Sequence, residues 1–316
     1  MTDPIKAVLP AMAKPLIESR LEGLDVSWFT SGAEAAEMAR DAEIGWLDMY
    51  DKTAMAKAIE AGESLKWLSS IYAGVEHFPL ELLRERGTKV TNGTGINAIP
   101  IGEYVVMGML AAAKRLDKVL EGQRAHDWQQ GSPGQAELFE SKVLIIGFGA
   151  IGHEVAKRLK GFDAEVIAVR RSADPDPMII GTDEWKPRLG EFDWVILAAP
   201  ATDETEHMIG ADELAAMKES AWLVNIARGS LVDQAALVAA LNDGTIGGAF
   251  LDTVDPEPLP KDDPLWDAPN TFITMHHSGN STTRMFERAA QRFLDNLSRY
   301  RSGEPLLSAV DLDLGY

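Results

Sequence analysis

Short apolar segments alternate with helical patterns along almost the whole chain, and this alternation constrains the fold more than any other feature of the sequence. Strands that alternate with helices pair in parallel, and a parallel sheet needs helices on both of its faces. The sequence therefore predicts an α/β fold with doubly wound parallel sheets. The predicted strands are Ala7–Leu9, Val26–Phe29, Ile44–Leu47, Trp67–Ile71, Lys89–Thr91, Val143–Ile146, Val166–Val169, Val195–Ala198, Leu223–Ile226, Ala249–Leu251 and Phe272–Thr274.

The predicted elements fall into two series, which indicates two Rossmann-like domains. A chain of 316 residues is long enough for both. A long helical pattern, Ile99–Gln123, separates the series, and a final helix over Arg284–Arg301 leads into an apolar tail that we expect to return to the first domain. The smaller domain is predicted to comprise residues 1–97 and 288–316. The larger domain comprises residues 98–287, and a functional site is expected in the cleft between the two.

Charge and cysteine content exclude several classes of function. The formal net charge is −19, whereas nucleic acids and anionic membranes bind to basic surfaces, so we expect neither partner. The acidic surface is explained by solubility or, alternatively, by adaptation to high salt. The chain has no cysteine, which excludes disulfides, thiolate catalysis and cysteine-ligated metals and makes the cytoplasm the expected compartment. No metal site is predicted.

The segment Lys142–Gly152 predicts a strand, a glycine-rich turn and a helix. In such a turn Gly147 makes the tight bend, Gly149 lets the backbone approach a pyrophosphate, and Gly152 allows the helix to pack closely on the strand. The helix that begins at Ala150-Ile151 offers unpaired N–H groups and the positive end of its dipole to the phosphates. The apolar strand before the turn and the amphipathic helix after it favour a dinucleotide site over a plain tight turn. The larger domain, residues 98–287, is therefore predicted to be the dinucleotide-binding domain.

At the end of the next strand the sequence has Arg170, Arg171 and Ser172. An NAD-specific site would carry an acidic residue at this point to bind the ribose hydroxyls. An arginine instead pairs bidentately with a 2′-phosphate. The sequence therefore predicts NADP(H) as the preferred cofactor. Use of NAD(H), with the two arginines as solvated surface charges, is the alternative.

Three polar residues, Arg228, Glu257 and His276, come at or just after the ends of late strands. In open α/β sheets ligands bind at the carboxyl ends of the strands. Reduction of a 2-oxo acid needs a cation for the carboxylate, a proton donor at the carbonyl, and a neighbour that keeps that donor protonated. An arginine, a histidine and a glutamate meet these needs, so we predict these three as the catalytic residues.

With these residues in place, the chain resembles a D-2-hydroxyacid dehydrogenase over nearly its full length. NAD-specific members carry an acidic residue at the position of Arg170. Arginines at this position are typical of NADP-using members, such as the glyoxylate/hydroxypyruvate reductases. The motifs that carry the resemblance are Gly147–Gly152, Val224–Gly229 with Val232-Asp233, Leu251-Asp252 through Glu257-Pro258-Leu259, Asp263–Trp266 and Ile273–His276.

The resemblance implies hydride transfer between NADP(H) and a small 2-oxo or 2-hydroxy acid, and it implies a role for each residue. Arg228 would bind the carboxylate and carbonyl of the substrate, and His276 would donate or accept the proton. Glu257 would hydrogen-bond the imidazole, keep it protonated and fix its orientation. The backbone at Ala73-Gly74 would also receive the substrate carboxylate, which would make the smaller domain, residues 1–97 and 288–316, the substrate-binding domain. The cofactor site is further expected to include Pro200, Ile226, Asp252 near the nicotinamide, His276 and Gly279.

The residues on either side of His276, namely Met275 and His277, bear on which histidine is catalytic. The family usually has proline before the catalytic histidine, whereas this chain has Met275. Because His277 follows directly, a shift by one residue is an alternative. The Glu257-Pro258-Leu259 motif and the strand Phe272–Met275 favour His276.

Two other functions fit the same scaffold. One is the oxidation of formate or phosphite, although formate dehydrogenases of this family have glutamine where Glu257 stands. The other is an NAD(H)-binding corepressor or sensor, which turnover with a 2-oxo acid distinguishes from an enzyme. The family also builds a dimer interface in the region of the helix that begins near Pro100, so the resemblance implies a homodimer.

Overall fold

The computed structural model describes residues 4–75, 77–171, 175–281 and 284–313. The chain divides into two compact units, one formed by residues 1–97 and 281–316 and the other by residues 98–280. The return to the first unit comes at residue 281, before the expected position 288. The reason is that the helix Arg284–Ser302 belongs to the first unit from its first turn onward and buries Phe293 in that unit's core.

The regular elements follow one another in chain order. The strands and α-helices are β1 Ile5–Pro10, α1 Lys14–Ile17, β2 Leu24–Phe29, α2 Gly32–Ala39, β3 Ile44–Trp46, α3 Lys52–Ala61, β4 Trp67–Ser69, α4 Leu80–Glu85, β5 Lys89–Thr91, α5 Ala98–Ala113, α6 Leu116–Ala125, β6 Lys142–Ile146, α7 Ala150–Leu159, β7 Glu165–Val169, β8 Ile179–Ile180, β9 Trp194–Leu197, α8 Ala211–Ala216, β10 Trp222–Asn225, α9 Gln234–Asn242, β11 Gly248–Leu251, β12 Thr271–Ile273 and α10 Arg284–Ser302. Short 3₁₀ turns lie at Ala11–Ala13, Glu18–Arg20, Lys160–Phe162, Lys186–Glu191, Gly229–Leu231 and Pro264–Asp267.

The first unit is built on a five-stranded parallel sheet in the order β2-β1-β3-β4-β5. Successive side chains on β1 enter different buried clusters, Val8 on one face and Leu9 on the other, as the pleat of a strand requires. Helix α10 covers one face, where Phe293 stacks on Trp67 with ring centroids 5.1 Å apart. The tail then returns to β5, and the Val310 N–H bonds to that strand at 2.8 Å.

The second unit is built on a seven-stranded parallel sheet in the order β12-β11-β10-β9-β6-β7-β8. Strands β6 and β9 are neighbours, and the chain continues from them to opposite edges of the sheet. Such a switch point leaves a crevice beyond the carboxyl ends of the strands, where α/β proteins bind ligands. The predicted doubly wound parallel-sheet fold is confirmed.

The single helix predicted over Ile99–Gln123 is wrong, because the structure breaks it into α5 and α6. Arg115, at the break, has a left-handed backbone with φ of 49°. Its guanidinium forms two hydrogen bonds to Asp117, at 2.9 and 3.1 Å, which hold the bend. Strand β8 was not predicted, since its two residues are too few for a periodic pattern. No helix in the described part of the chain is long and apolar enough to span a membrane.

Candidate active site

The glycine-rich turn between β6 and α7 lies at the switch point of the second sheet. Gly147 has φ of 102°, and a Cβ there would lie 2.4 Å from the backbone nitrogen of Ala199. A Cβ on Gly152 would lie 2.5 Å from the carbonyl oxygen of Gly147. Both positions are therefore closed to any larger residue by backbone atoms. A Cβ on Gly149, in contrast, would meet nothing within 4 Å, so open space lies above this residue.

The start of α7 fits a dinucleotide pyrophosphate. The helix runs for 10 residues from Ala150, and the residue before it, Gly149, provides no side chain to cap it. The N–H groups at this end of the helix have no partners within the helix, and they lie beside the open space above Gly149. Anions bind at such a helix end because of these N–H groups and the helix dipole.

Arg170 and Arg171 follow β7 directly, and both are exposed. The backbone N–H of Arg170 donates to the Ile180 carbonyl at 3.0 Å, which extends the pairing of β7 with β8 by one residue. The strand end is thus well defined where a 2′-phosphate is expected. Ser172, the third residue of this predicted group, lies outside the described residues.

Arg228 lies three residues beyond β10, in a loop that two neighbours shape. The buried side chain of Asn225 donates to the Arg228 carbonyl at 2.8 Å and accepts from the Ala227 N–H at 3.0 Å. A Cβ on Gly229 would lie 2.0 Å from the carbonyl carbon of Val254, so this loop packs backbone to backbone against the loop that follows β11. The half-buried Arg228 therefore projects from a fixed turn beside the loop that carries Glu257.

Glu257 and His276, which are 19 residues apart in sequence, are in direct contact. Nδ1 of His276 lies 2.8 Å from Oε2 of Glu257, and Oε1 of Glu257 accepts the Val254 N–H at 3.3 Å. The carboxylate thus holds the imidazole through Nδ1. Within the described residues, Nε2 of His276 has no hydrogen-bond partner, so this nitrogen is available for proton exchange with a ligand.

Asp252 anchors the turn that carries the histidine. This aspartate is only 1% exposed. Its carboxylate accepts the Thr274 hydroxyl at 2.8 Å, the His277 N–H at 2.8 Å and the Ser278 N–H at 3.1 Å. Its carbonyl also accepts the His276 N–H at 2.6 Å. The resemblance places Asp252 near the nicotinamide, and the structure adds that it fixes the backbone around His276.

The backbone distinguishes the two adjacent histidines. Met275 and His276 have φ of 57° and 58°, which is rare for residues other than glycine and persists only where surrounding bonds determine it. A proline ring fixes φ near −65°, so proline cannot adopt the conformation of Met275. In this turn His276 contacts Glu257 through its ring, whereas His277 is bound to Asp252 through its backbone.

The predicted carboxylate-binding residues Ala73 and Gly74 belong to the first unit, in the loop that follows β4. The Tyr72 carbonyl accepts the Gly93 N–H at 2.7 Å, and the Ala73 carbonyl accepts the Asn92 side-chain amide at 2.8 Å. These bonds hold the carbonyl side of the loop. The N–H groups of Ala73 and Gly74 have no acceptor among the described residues, so they are free to bind an anion.

The remaining predicted cofactor residues all lie beyond carboxyl ends of the second sheet. Pro200 follows β9 and is exposed, and its carbonyl accepts the Thr205 hydroxyl at 2.8 Å. Ile226 directly follows β10 and is buried. Gly279 follows the histidine turn beyond β12. The topology therefore places these residues at the same edge of the sheet as Gly147–Gly152.

A family model covers all of these second-unit residues except Gly279. Residues 106–278 match the NAD binding domain of the D-isomer specific 2-hydroxyacid dehydrogenases. The chain belongs to this family. The expected family and class of enzyme are therefore confirmed, and the protein is an NAD(P)-dependent oxidoreductase with a nicotinamide cofactor.

Curated relatives and solved structures agree with this assignment. Glyoxylate reductase from Korarchaeum cryptofilum is 33% identical to this chain over 79% of this chain and 77% of the relative. Glyoxylate/hydroxypyruvate reductase B from Pectobacterium carotovorum subsp. carotovorum is 35% identical over 76% of this chain and 77% of the relative. The crystal structure of a D-isomer specific 2-hydroxyacid dehydrogenase family protein from Aeromonas salmonicida has a TM-score of 0.84 and 29% identity. It covers 99% of this chain and 100% of that chain.

Sequence reasoning missed the residues that shape the loops of the candidate site in this dehydrogenase. Asn225 and Asn92 each follow or end a buried strand, and a buried polar residue in an apolar run was the available signal. Gln234 bridges two loops, since its side chain accepts the Asp255 N–H at 3.3 Å and donates to Asp263 at 3.1 Å. No local pattern identifies Gln234, because both of its partners are distant in sequence.

Proposed function

We propose that this dehydrogenase reduces small 2-oxo acids, with glyoxylate or hydroxypyruvate as substrate, and that NADPH is its preferred cofactor. The single observation that carries the proposal is the bond of 2.8 Å between Nδ1 of His276 and Glu257, at the edge of the sheet where Arg228 also lies. The names of the two curated relatives, glyoxylate reductase and glyoxylate/hydroxypyruvate reductase B, support the choice of substrates.

In this proposal His276 is the acid of the reduction. The nicotinamide cofactor, when bound, supplies the hydride. His276 donates a proton from Nε2 to the carbonyl oxygen of the substrate, because Nδ1 is engaged by Glu257. Glu257 orients the ring and stabilises the imidazolium that must form before each turnover. In oxidation of the 2-hydroxy acid the same Nε2 accepts the proton.

The substrate carboxylate is assigned to two kinds of donor. Arg228 supplies a fixed guanidinium, which matches a carboxylate in shape and charge. The N–H groups of Ala73 and Gly74 supply neutral donors that have no acceptor within the described residues. Such local donors are necessary because the net charge of −19 repels an anionic substrate at long range.

A substrate panel tests the proposed activity. Initial rates are measured with NADPH and glyoxylate, hydroxypyruvate, pyruvate or phenylpyruvate, and in the reverse sense with NADP⁺ and formate or phosphite. We expect the highest kcat/KM with glyoxylate or hydroxypyruvate. Turnover of formate or phosphite alone would assign the alternative chemistry. Cofactor binding without turnover of any 2-oxo acid would instead favour a corepressor or sensor.

The cofactor preference rests on Arg170 and Arg171. A hydrogen bond to a charged group contributes roughly 1.5–3 kcal/mol, which corresponds to about a 10- to 150-fold preference for NADPH. Because Asp176 follows closely in sequence and repels a phosphate, we expect the lower half of this range. The double variant Arg170→Ala/Arg171→Ala should raise KM for NADPH about 10-fold and leave KM for NADH nearly unchanged.

The matched control for this prediction is Arg124→Ala, which removes an exposed arginine from the last turn of α6. KM for both cofactors should be unaffected in this variant. Comparable kcat/KM values for NADPH and NADH in the unmodified enzyme would contradict the proposed preference and would leave the two arginines as surface charges.

We also propose that the enzyme is a homodimer. Helices α5 and α6 and the loop after them expose large apolar side chains, among them Met107 at 48% and Trp128 at 87%, which favours burial against a second copy. Sedimentation should give twice the monomer mass, and Leu116→Glu/Val119→Glu should give monomers because it places charges on this surface. A monomeric unmodified protein would refute the proposal.

The proposed compartment is the cytoplasm, which suits a chain without cysteine.

A further inference from the structure

Asp48 joins the carboxyl ends of two strands in the first unit. It lies two residues beyond β3, and Oδ2 accepts the Trp46 indole N–H at 2.8 Å. The same oxygen accepts the Ile71 N–H at 2.5 Å, and Oδ1 accepts the Ser70 hydroxyl at 2.8 Å. Ser70 and Ile71 directly follow β4, so one carboxylate organises the start of the next loop.

The hydrogen bonds continue from Asp48 to the residues that are assigned to the substrate carboxylate. The Ser70 hydroxyl donates a hydrogen bond to Asp48, and its oxygen accepts the Tyr72 N–H at 3.0 Å. Asp48 therefore fixes both N–H groups, that of Ile71 directly and that of Tyr72 through the Ser70 hydroxyl. On the other side of the loop, the Tyr72 and Ala73 carbonyls are held by the segment that follows β5, as described above. The next two N–H groups along the chain, those of Ala73 and Gly74, are the ones without an acceptor among the described residues.

We propose that Asp48 is a positioning residue, which aims the N–H groups of Ala73 and Gly74 at the substrate carboxylate through Ser70 and Ile71. This inference rests on the proposed function, because it takes the 2-oxo acid carboxylate as the ligand of that loop. Asp48 itself does not touch the substrate. Its negative charge acts on the loop by ordering the two preceding peptide groups, so its effect should fall on substrate binding and much less on the chemical step.

The apolar surroundings of Asp48 make a carboxylate costly at this position, which supports a functional role for the residue. Apolar residues from other elements line the same pocket, namely Pro10 and Met12 at and after β1, Leu16 of α1 and Phe286 of α10. Burial raises the pKa of Asp48 to about 6, against the lowering effects of its hydrogen bonds and of the Lys52 charge. An aspartate that served only to pack would be replaced at lower cost by an apolar residue.

The direct test compares Asp48→Asn with the unmodified enzyme. Asparagine keeps the size of the side chain, but its amide nitrogen cannot accept the bonds that one carboxylate oxygen now accepts. We expect KM for glyoxylate to rise about 10-fold at pH 7.5, the loss of roughly one bond to a charged group, with kcat changed less than about 3-fold. The Kd for NADPH should stay the same. Ser70→Ala, which removes the link to Tyr72, should also raise KM.

The control is Asp51→Asn, three residues further along the same loop. Asp51 caps α3 by accepting the Thr53 and Ala54 N–H groups at 2.9 and 3.0 Å, and it makes no bond to the segment from Ser70 to Gly74. This variant loses a carboxylate charge from the same region and should leave KM for glyoxylate unchanged.

The pH profile provides a readout that a purely structural role would not change. Below pH 6 the unmodified Asp48 carries a proton and resembles asparagine, so the ratio of KM between Asp48→Asn and the unmodified enzyme should fall from about 10 at pH 7.5 toward one at pH 5. The charged or titratable groups that act on Asp48 or respond to it are Lys52 and Tyr72. Burial raises the pKa of Tyr72, so this phenol stays neutral throughout the experiment.

Three outcomes would overturn the inference: an unchanged KM in Asp48→Asn, a ratio that does not depend on pH, or a parallel loss of kcat and NADPH binding. If the unmodified enzyme reduces no 2-oxo acid, the proposed function fails. Binding of oxamate, which carries the carboxylate and carbonyl of a 2-oxo acid, then decides the inference separately. Weaker oxamate binding in Asp48→Asn than in Asp51→Asn supports it, and equal binding refutes it.

Discussion

His276→Ala lowers kcat for reduction of a 2-oxo acid by about 10²–10⁴ and leaves the Kd for NADPH within a few-fold; this is the largest effect that we expect from a single substitution. The imidazole is held through Nδ1 by Glu257 at 2.8 Å, and Nε2 has no partner within the described residues. Removal of the ring takes away the proton donor. The glycine-rich turn at Gly147–Gly152 is unaffected, so the cofactor should still bind. Steady-state rates and a fluorescence titration of NADPH measure the two effects.

The control for this prediction is the neighbouring residue. His277 contributes its backbone N–H to Asp252, a bond that alanine retains, so His277→Ala should keep most of the activity. Near-normal turnover in His276→Ala, together with loss of turnover in His277→Ala, would transfer the catalytic role to His277. It would also mean that the contact with Glu257 does not mark the proton donor.

Substitution of Arg228 should give the second large effect. Two hydrogen bonds to a charged group are lost in Arg228→Ala, so we expect kcat/KM for the 2-oxo acid to fall by about 10²-fold or more. Arg228→Lys should recover only part of this loss, because lysine carries a point charge and cannot form a planar bidentate pair with a carboxylate. The Kd for NADPH should change little in either variant.

Arg188→Lys is the matched control for the lysine variant, since Arg188 pairs with Glu191 on the surface, at 3.0 Å. It should leave the kinetics of the 2-oxo acid unchanged. If Arg228→Ala kept normal kcat/KM, Arg228 would be removed from the substrate site. The buried Asn225, which shapes the loop through the Arg228 carbonyl, would then have only a structural role.

Much of the scaffold was predictable because local signals specify it. The strand Lys89–Thr91 was predicted with its observed bounds, and most others differ by one or two residues at their ends. Asp233 caps α9, since its side chain accepts the Ala236 N–H at 3.0 Å, and aspartate directly before a helical pattern is a local signal for such a cap. Apolar periodicity and helix caps depend on residues a few positions apart, so a single sequence contains this information.

The break between α5 and α6 was not predictable in the same way. The residues from Ile99 to Gln123 keep a helical pattern throughout. Arg115 nevertheless adopts a left-handed backbone conformation, and no glycine or proline at this position signals a break in the helix. The bidentate pair with Asp117 compensates for that conformation. Tertiary context overrides the local helix propensity here, and a side-chain pair of this kind cannot be recognised before the backbone conformation is known.

The sequence by itself determined the order of strands and helices, the glycine-rich turn and the residue types at the strand ends, because these follow from local periodicity and backbone sterics. Only the tertiary structure decided which of these groups touch. Asp252 and His277 are 25 residues apart, and Asp48 and Ile71 are 23 residues apart, yet each pair forms a hydrogen bond. Such bonds depend on parallel strands whose carboxyl ends meet at one edge of a sheet. The pairing of those strands, which brings His276 onto Glu257 and Asp48 onto the loop of Ala73, is a property of the folded sheet and of no shorter segment.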